Sequence, residues 1–95
     1  MDDNQIDIPA SFIALFVPPG RIKPTLLRAQ IAQRYETSED LAQLLVETVQ
    51  AKVFDLGITR EDALERVRRG LATLPDLSEQ EAWWVGRRLE ELVQA

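Results

Sequence analysis

The sequence predicts an all-α fold, a compact bundle of four to five helices joined by short loops. Three observations carry this prediction. Apolar residues recur at spacings of three and four along most of the chain. Helix start and stop signals punctuate it in turn. The one apolar run that periodicity leaves open to a strand reading has no second strand to pair with.

Pro9 suits a first helical turn, where the N–H it lacks has no intrahelical acceptor. It precedes the run Ala10 to Val17, which is apolar on all sides. Periodicity alone cannot separate buried helix from buried strand in so short a run; the missing strand partner favours helix. Pro18-Pro19-Gly20 ends the element. Pro24 can open a second helix, in which Leu27, Ile31 and Tyr35 form a narrow apolar stripe flanked by Arg28 and Arg34.

A third helix is expected to open at Thr37 or Ser38, with Glu39 and Asp40 in its first turn complementing the helix dipole. Its apolar set of Leu41, Ala42, Leu44, Leu45, Val46, Val49 and Val53 covers more than half the circumference, which predicts a central position. Gly57 supplies a left-handed C-terminal cap. Thr59 is the next N-cap, with Asp62 three positions on, and the fourth helix is expected to bury Ala63, Leu64, Val67 and Leu71. After Leu74-Pro75-Asp76-Leu77, Ser78 and Glu81 form the S-x-x-E capping box of a fifth helix.

Ninety-five residues, 45% of them hydrophobic, make one helical domain over residues 1–95, with residues 1–7 expected to be a flexible acidic terminus. The chain contains neither cysteine nor histidine. That removes disulfides, zinc sites ligated by sulfur or imidazole, Ser-His and Cys-His nucleophiles and imidazole acid–base chemistry. Asp2, Asp3 and Asp7 stand where a secretory signal carries bases, and the apolar run from Phe12 is too short to span a bilayer. The expectation is a cytoplasmic, non-membrane protein without cofactor or metal.

Net charge is −5, which disfavours general attraction to nucleic acid. The charge is unevenly spread. Residues 21–35 hold Arg21, Lys23, Arg28 and Arg34 and no acid, whereas residues 36–57 hold five acids and Lys52. The basic stretch is a candidate surface for an acidic partner or for the chain's own acidic tail.

The most informative stretch is Glu81-Ala82-Trp83-Trp84-Val85-Gly86-Arg87-Arg88. Neighbours on a helix point about 100° apart, so two adjacent indoles cannot share one core face. Ala82, Val85, Gly86, Leu89, Leu92 and Val93 cluster on one side, leaving Trp83 and Trp84 on opposite flanks. One reading wedges Trp83 against the N-terminal apolar segment and leaves Trp84 half buried and stacked on Arg88. The other makes Trp84, framed by Arg87 and Arg88, a binding anchor, because tryptophan and arginine are enriched at interface hot spots. Gly86, costly inside a helix, indicates close approach by a second copy or by another helix of the same chain.

Other constellations are weaker. The stretch from Leu56 to Leu71 resembles a turn and recognition helix, but Glu61 and Asp62 occupy the turn that would face phosphates. Arg66, Arg68 and Arg69 could contact a nucleic-acid backbone only beside Glu65. Pro18 to Thr25 lacks the spacing of a phosphate loop. Glu36 with Asp40, and Glu61 with Glu65, read as solvated or capping carboxylates, and Ser11, Ser38 and Thr59 as caps or turn residues rather than nucleophiles.

Taken together, "IPASFIALFVPPGRIKPT", "RYETSEDLAQLL", "LGITREDALERVRRGL" and "EAWWVGRRLEEL" resemble small uncharacterised proteobacterial proteins, some labelled as an ATPase with chaperone activity. The resemblance implies a stand-alone bacterial protein and assigns no active residues. The chain has neither a phosphate loop nor a metal-binding acid after a strand, so nothing supports the ATPase part of the label. The sequence therefore predicts a non-enzymatic protein–protein interaction module, a self-associating homodimer, adaptor or chaperone-like factor, with Trp83, Trp84, Arg87 and Arg88 as its partner-binding residues. The alternative is a nucleic-acid-binding regulator using the helix after Thr59.

Overall fold

A computed structural model describes residues 7–94, and all regular structure within them is helical. The acidic terminus expected to be flexible lies, apart from Asp7, outside the described residues. Helix α1 is Ala10–Ile13, continued by a 3-10 turn over Ala14–Phe16. Helix α2 is Arg28–Leu56, α3 is Arg60–Leu71 and α4 is Glu79–Gln94. The chain divides into two compact units, one ending at Ser38 and one beginning at Glu39.

In the first unit, Pro9 starts α1 as expected, its carbonyl accepting the N–H groups of Phe12 and Ile13 at 3.0 and 3.1 Å. The run is helix, not strand, and it turns inward through Phe12, which is fully buried. The Phe12 ring meets Phe16 and, edge-on, Tyr35, each at 5.5 Å between centroids. Such tilted pairs place the positive edge of one ring near the negative face of the other. Pro18-Pro19-Gly20-Arg21 then forms a turn closed by the Arg21 N–H on the Pro18 carbonyl at 3.0 Å, with Gly20 at φ 79°. Proline second and a left-handed glycine third is what a type II turn requires.

The expected helix start at Pro24 is displaced. Thr25 is held back on the Phe16 carbonyl by both its N–H, at 2.7 Å, and its hydroxyl, at 3.2 Å. Helix α2 begins at Arg28, where the Gln30 side chain accepts the Leu27 N–H at 3.0 Å, half of a capping box.

The expected second and third helices are a single helix. No glycine or proline interrupts residues 28–56, and the hydroxyl that was to cap a new helix is used within the old one. Thr37 Oγ1 donates to the Gln33 carbonyl one turn back at 3.2 Å, and Ser38 is buried. The central position expected for residues 41–53 is also corrected. Ala42 and Val49 are buried, Leu41, Leu45, Val46 and Val53 are half-buried, and Leu44 is 68% exposed.

In the second unit, Gly57 has φ 64° and returns its N–H to the Val53 carbonyl, the left-handed cap expected there. Thr59 accepts the Asp62 N–H at 3.1 Å and starts α3. The face predicted for this helix, Ala63, Leu64, Val67 and Leu71, is the face that is buried. Ser78 and Glu81 cap α4 reciprocally, each N–H meeting the other side chain at 3.0 Å. Helix α4 runs antiparallel to α3. At one end Arg60 Nη1 donates to the Val93 carbonyl at 3.1 Å, satisfying a C-terminal acceptor. Further along, Arg68 Nη2 meets Glu90 Oε1 at 2.7 Å.

Candidate functional site

Helix α4 resolves the problem of the paired indoles. Its buried residues are Glu81, Ala82, Trp84, Val85, Gly86 and Leu89, an arc wider than the apolar residues alone define. The widening is on the side of Glu81, Trp84 and Arg88. That flank is occupied because Glu81 turns back to cap the helix and Arg88 reaches across to α2. Trp84 is consequently 5% exposed, while Trp83, on the far side, is 57% exposed. The expectation of a half-buried or anchoring Trp84 is thereby corrected; the indole offered to solvent is Trp83.

Arg87 lies over the Trp83 ring, its guanidinium carbon 5.6 Å from the centroid. This cation–π arrangement stacks the Arg87 guanidinium on the face of an exposed indole. Beside them runs a groove of about 650 Å³ between the end of α3 and the start of α4, lined by Arg68, Ala72, Glu79, Trp83, Gly86 and Arg87 among others. A hydrophobic indole, two guanidiniums and two carboxylates, Glu79 and Glu90, therefore share one concave surface.

The floor of this groove depends on Gly86. A Cβ built there would stand 3.2 Å from both Cγ and Nε of Arg68. The close approach inferred from this glycine is made within the chain, by the Arg68 side chain, which crosses Gly86 to reach Glu90. Arg68, which the sequence offers to a nucleic-acid backbone, is thus occupied within the chain. The signal that could have placed it was the glycine one helix away.

Arg88, expected beside Trp83 and Trp84 at a partner surface, is engaged by carboxylates. Its Nε is 2.9 Å from Glu39 Oε1 and 3.2 Å from Oε2, its Nη2 is 3.0 Å from Glu39 Oε2, and its Nη1 is 3.1 Å from Glu91. Gln43 donates to the same Glu39 carboxylate at 2.9 Å. The bidentate hydrogen bonds from Arg88, helped by Gln43, hold Glu39 below the usual carboxylate range against the opposing effect of its burial. The same contacts raise the pKa of Arg88. Of the four residues predicted to bind a partner, Trp83 and Arg87 are presented together, Trp84 is buried and Arg88 is tied to α2.

The alternative basic residues Arg21, Lys23, Arg28 and Arg34 are all exposed. On α3, Arg68 is paired with Glu90 and Arg69 with Glu65 at 3.4 Å, so two of the three arginines suggested for a nucleic-acid backbone are neutralised within the chain. Among the described residues no group of three or more acids is placed to hold a metal ion, and no helix is long and apolar enough to cross a membrane. No protein-family model, curated protein or solved structure matches the chain.

Proposed function

We propose that this protein is a non-enzymatic interaction module that acts by protein–protein contact, including contact with itself, in an adaptor or chaperone-like role. The observation that carries the reading is Trp83: a large indole, 57% exposed, held by Arg87 at the mouth of a groove. Aromatic and arginine side chains set around a concavity are the residues that dominate binding energy at protein interfaces.

Sedimentation equilibrium and affinity capture from a cell extract, with native protein and Trp83→Ala side by side, test this reading. The expected result is loss of self-association or of a captured partner in a variant whose helix content and melting temperature are unchanged. Equal behaviour of the two proteins in both assays would remove Trp83 from the interface. Trp84→Ala is unsuitable as the test variant, because it opens the interior.

A further inference from the structure

A second exposed surface lies on α2, away from the tryptophan helix. Asp40, Leu44, Glu47, Ala51 and Phe54 succeed one another at helical spacings of four and three, so they share one side of the helix. All five are exposed, Leu44 by 68% and Phe54 by 86%. Asp40 and Glu47 alternate with Leu44 and Ala51, and Phe54 extends the apolar end, with no base among the five. On one side it is edged by the neutral Gln43 and Gln50. On the other it borders a mainly apolar groove of about 280 Å³ lined by Leu41, Leu45, Leu71 and Leu74 and by Thr48 and the one base Lys52 among others, so the acids that can meet a basic segment are those of the stripe itself.

The chain also carries the complement of this stripe. The connector before α2 holds Arg21 and Lys23 on either side of Ile22, which is 91% exposed, and continues to the exposed Leu27. No acid occurs from residue 21 to residue 35. The connector bends at residues 22–23 and 25–26 and is fastened at Thr25 by two hydrogen bonds to Phe16, so its basic and apolar side chains are carried on a tethered segment. Arg21, Ile22, Lys23 and Leu27 are each exposed, as are the five residues of the stripe.

We propose that the α2 stripe is the docking face for the Arg21–Leu27 segment of a second copy of this chain, with Ile22 entering the leucine groove and Arg21 and Lys23 meeting Asp40 and Glu47. This inference rests on the self-contact reading above and gives it a specific face. A direct stripe-to-stripe pairing is opposed by charge, because acids would face acids. Segment-to-stripe pairing joins opposite charges, and under a two-fold axis it occurs twice, closing the dimer.

The test uses sedimentation equilibrium of the full chain and two charge-reversed variants. One carries Arg21→Glu with Lys23→Glu, the other Asp40→Lys with Glu47→Lys. The native chain is expected to dimerise, with affinity falling about tenfold or more between about 0.05 M and about 0.5 M salt. Each variant alone is expected to be monomeric at concentrations where the native chain pairs. An equimolar mixture of the two is expected to regain a dimer, because both contacts are then between opposite charges; a misfolded variant could not be rescued in this way. A monomeric native chain overturns the proposal, as does a mixture that stays monomeric. If both variants keep the native dimer while Trp83→Ala loses it, self-association stands through α4 and the α2 face is excluded.

Discussion

Arg88 grips Glu39 through the Nε–Nη2 edge of its guanidinium, joining residues 49 positions apart in the sequence. The pair is mostly shielded, with side-chain exposures of 32% and 18%. Removing one partner leaves a shielded charge without its counter-ion, which costs more than the pair itself contributes. Arg88→Met is expected to destabilise by about 1–3 kcal/mol, measured by urea unfolding. The folded pKa of Glu39 is lowered, so its contribution is fully present above the unfolded carboxylate value and is lost as pH falls below about 4. In Glu39→Gln the low-pH fall in stability should be shallower than in the native chain.

The two tryptophans should separate cleanly by stability. Trp84→Ala empties a buried site and is expected to cost about 3–5 kcal/mol, a large share of the roughly 5–15 kcal/mol that holds a small domain together. Trp83→Ala removes an exposed ring and one cation–π contact, for a loss of about 1 kcal/mol or less. Calorimetric melting of the two variants gives the comparison. Acrylamide quenching of the remaining indole should be strong in Trp84→Ala, where the exposed Trp83 is left, and weak in Trp83→Ala, where the buried Trp84 is left.

Two helical glycines, Gly70 in the last turn of α3 and Gly86 in the middle of α4, predict different outcomes for one substitution. A Cβ at Gly70 meets nothing within 4 Å, so Gly70→Ala should stabilise by up to about 1 kcal/mol through helix propensity. At Gly86 the same methyl presses on Arg68 at 3.2 Å, and the propensity gain is offset by displacing the Arg68–Glu90 pair. Gly86→Ala should therefore leave stability within about 0.5 kcal/mol of native, and Gly86→Val should lower it by about 2 kcal/mol. The melting temperatures of the three variants check the ordering.

Caps on α3 and α4 differ in their surroundings. The bond from Asp62 N–H to Thr59 is exposed, whereas the bond from Glu81 N–H to Ser78 is partly buried. Water can replace the first acceptor more readily than the second. Thr59→Ala is expected to cost about 0.5–1 kcal/mol and Ser78→Ala about 1–2 kcal/mol, a difference that denaturant midpoints resolve.

What the sequence made legible was local. The Ser78–Glu81 box, the Thr59 cap, the left-handed Gly57 and the buried face of α3 each follow from a few neighbouring residues, and each is present. The misreadings came where a local signal had two possible uses. Thr37 and Ser38 are good caps, but a threonine hydroxyl also bonds the carbonyl one turn back, and no breaker forced the helix to end. The candidate site failed in part for a related reason. The apolar residues of α4 alone point its core face away from Trp84. Glu81 and Arg88 complete that buried flank, and their partners, a cap nitrogen and Glu39, cannot be found by counting hydrophobic residues.

Gly57, Ile58 and Thr59 are all that separate α2 from α3. So short a loop costs little entropy to close, and helix pairs built from near-neighbours in sequence assemble rapidly. Close packing in this half of the chain is nonetheless between α3 and α4, joined by residues 72–78, so that pair is its expected folding nucleus. The Arg88–Glu39 clasp, spanning the greatest sequence separation among these ties, closes late. Weakening it should leave the folding rate nearly unchanged and hasten unfolding, which makes that single pair the latch on the lifetime of the folded state.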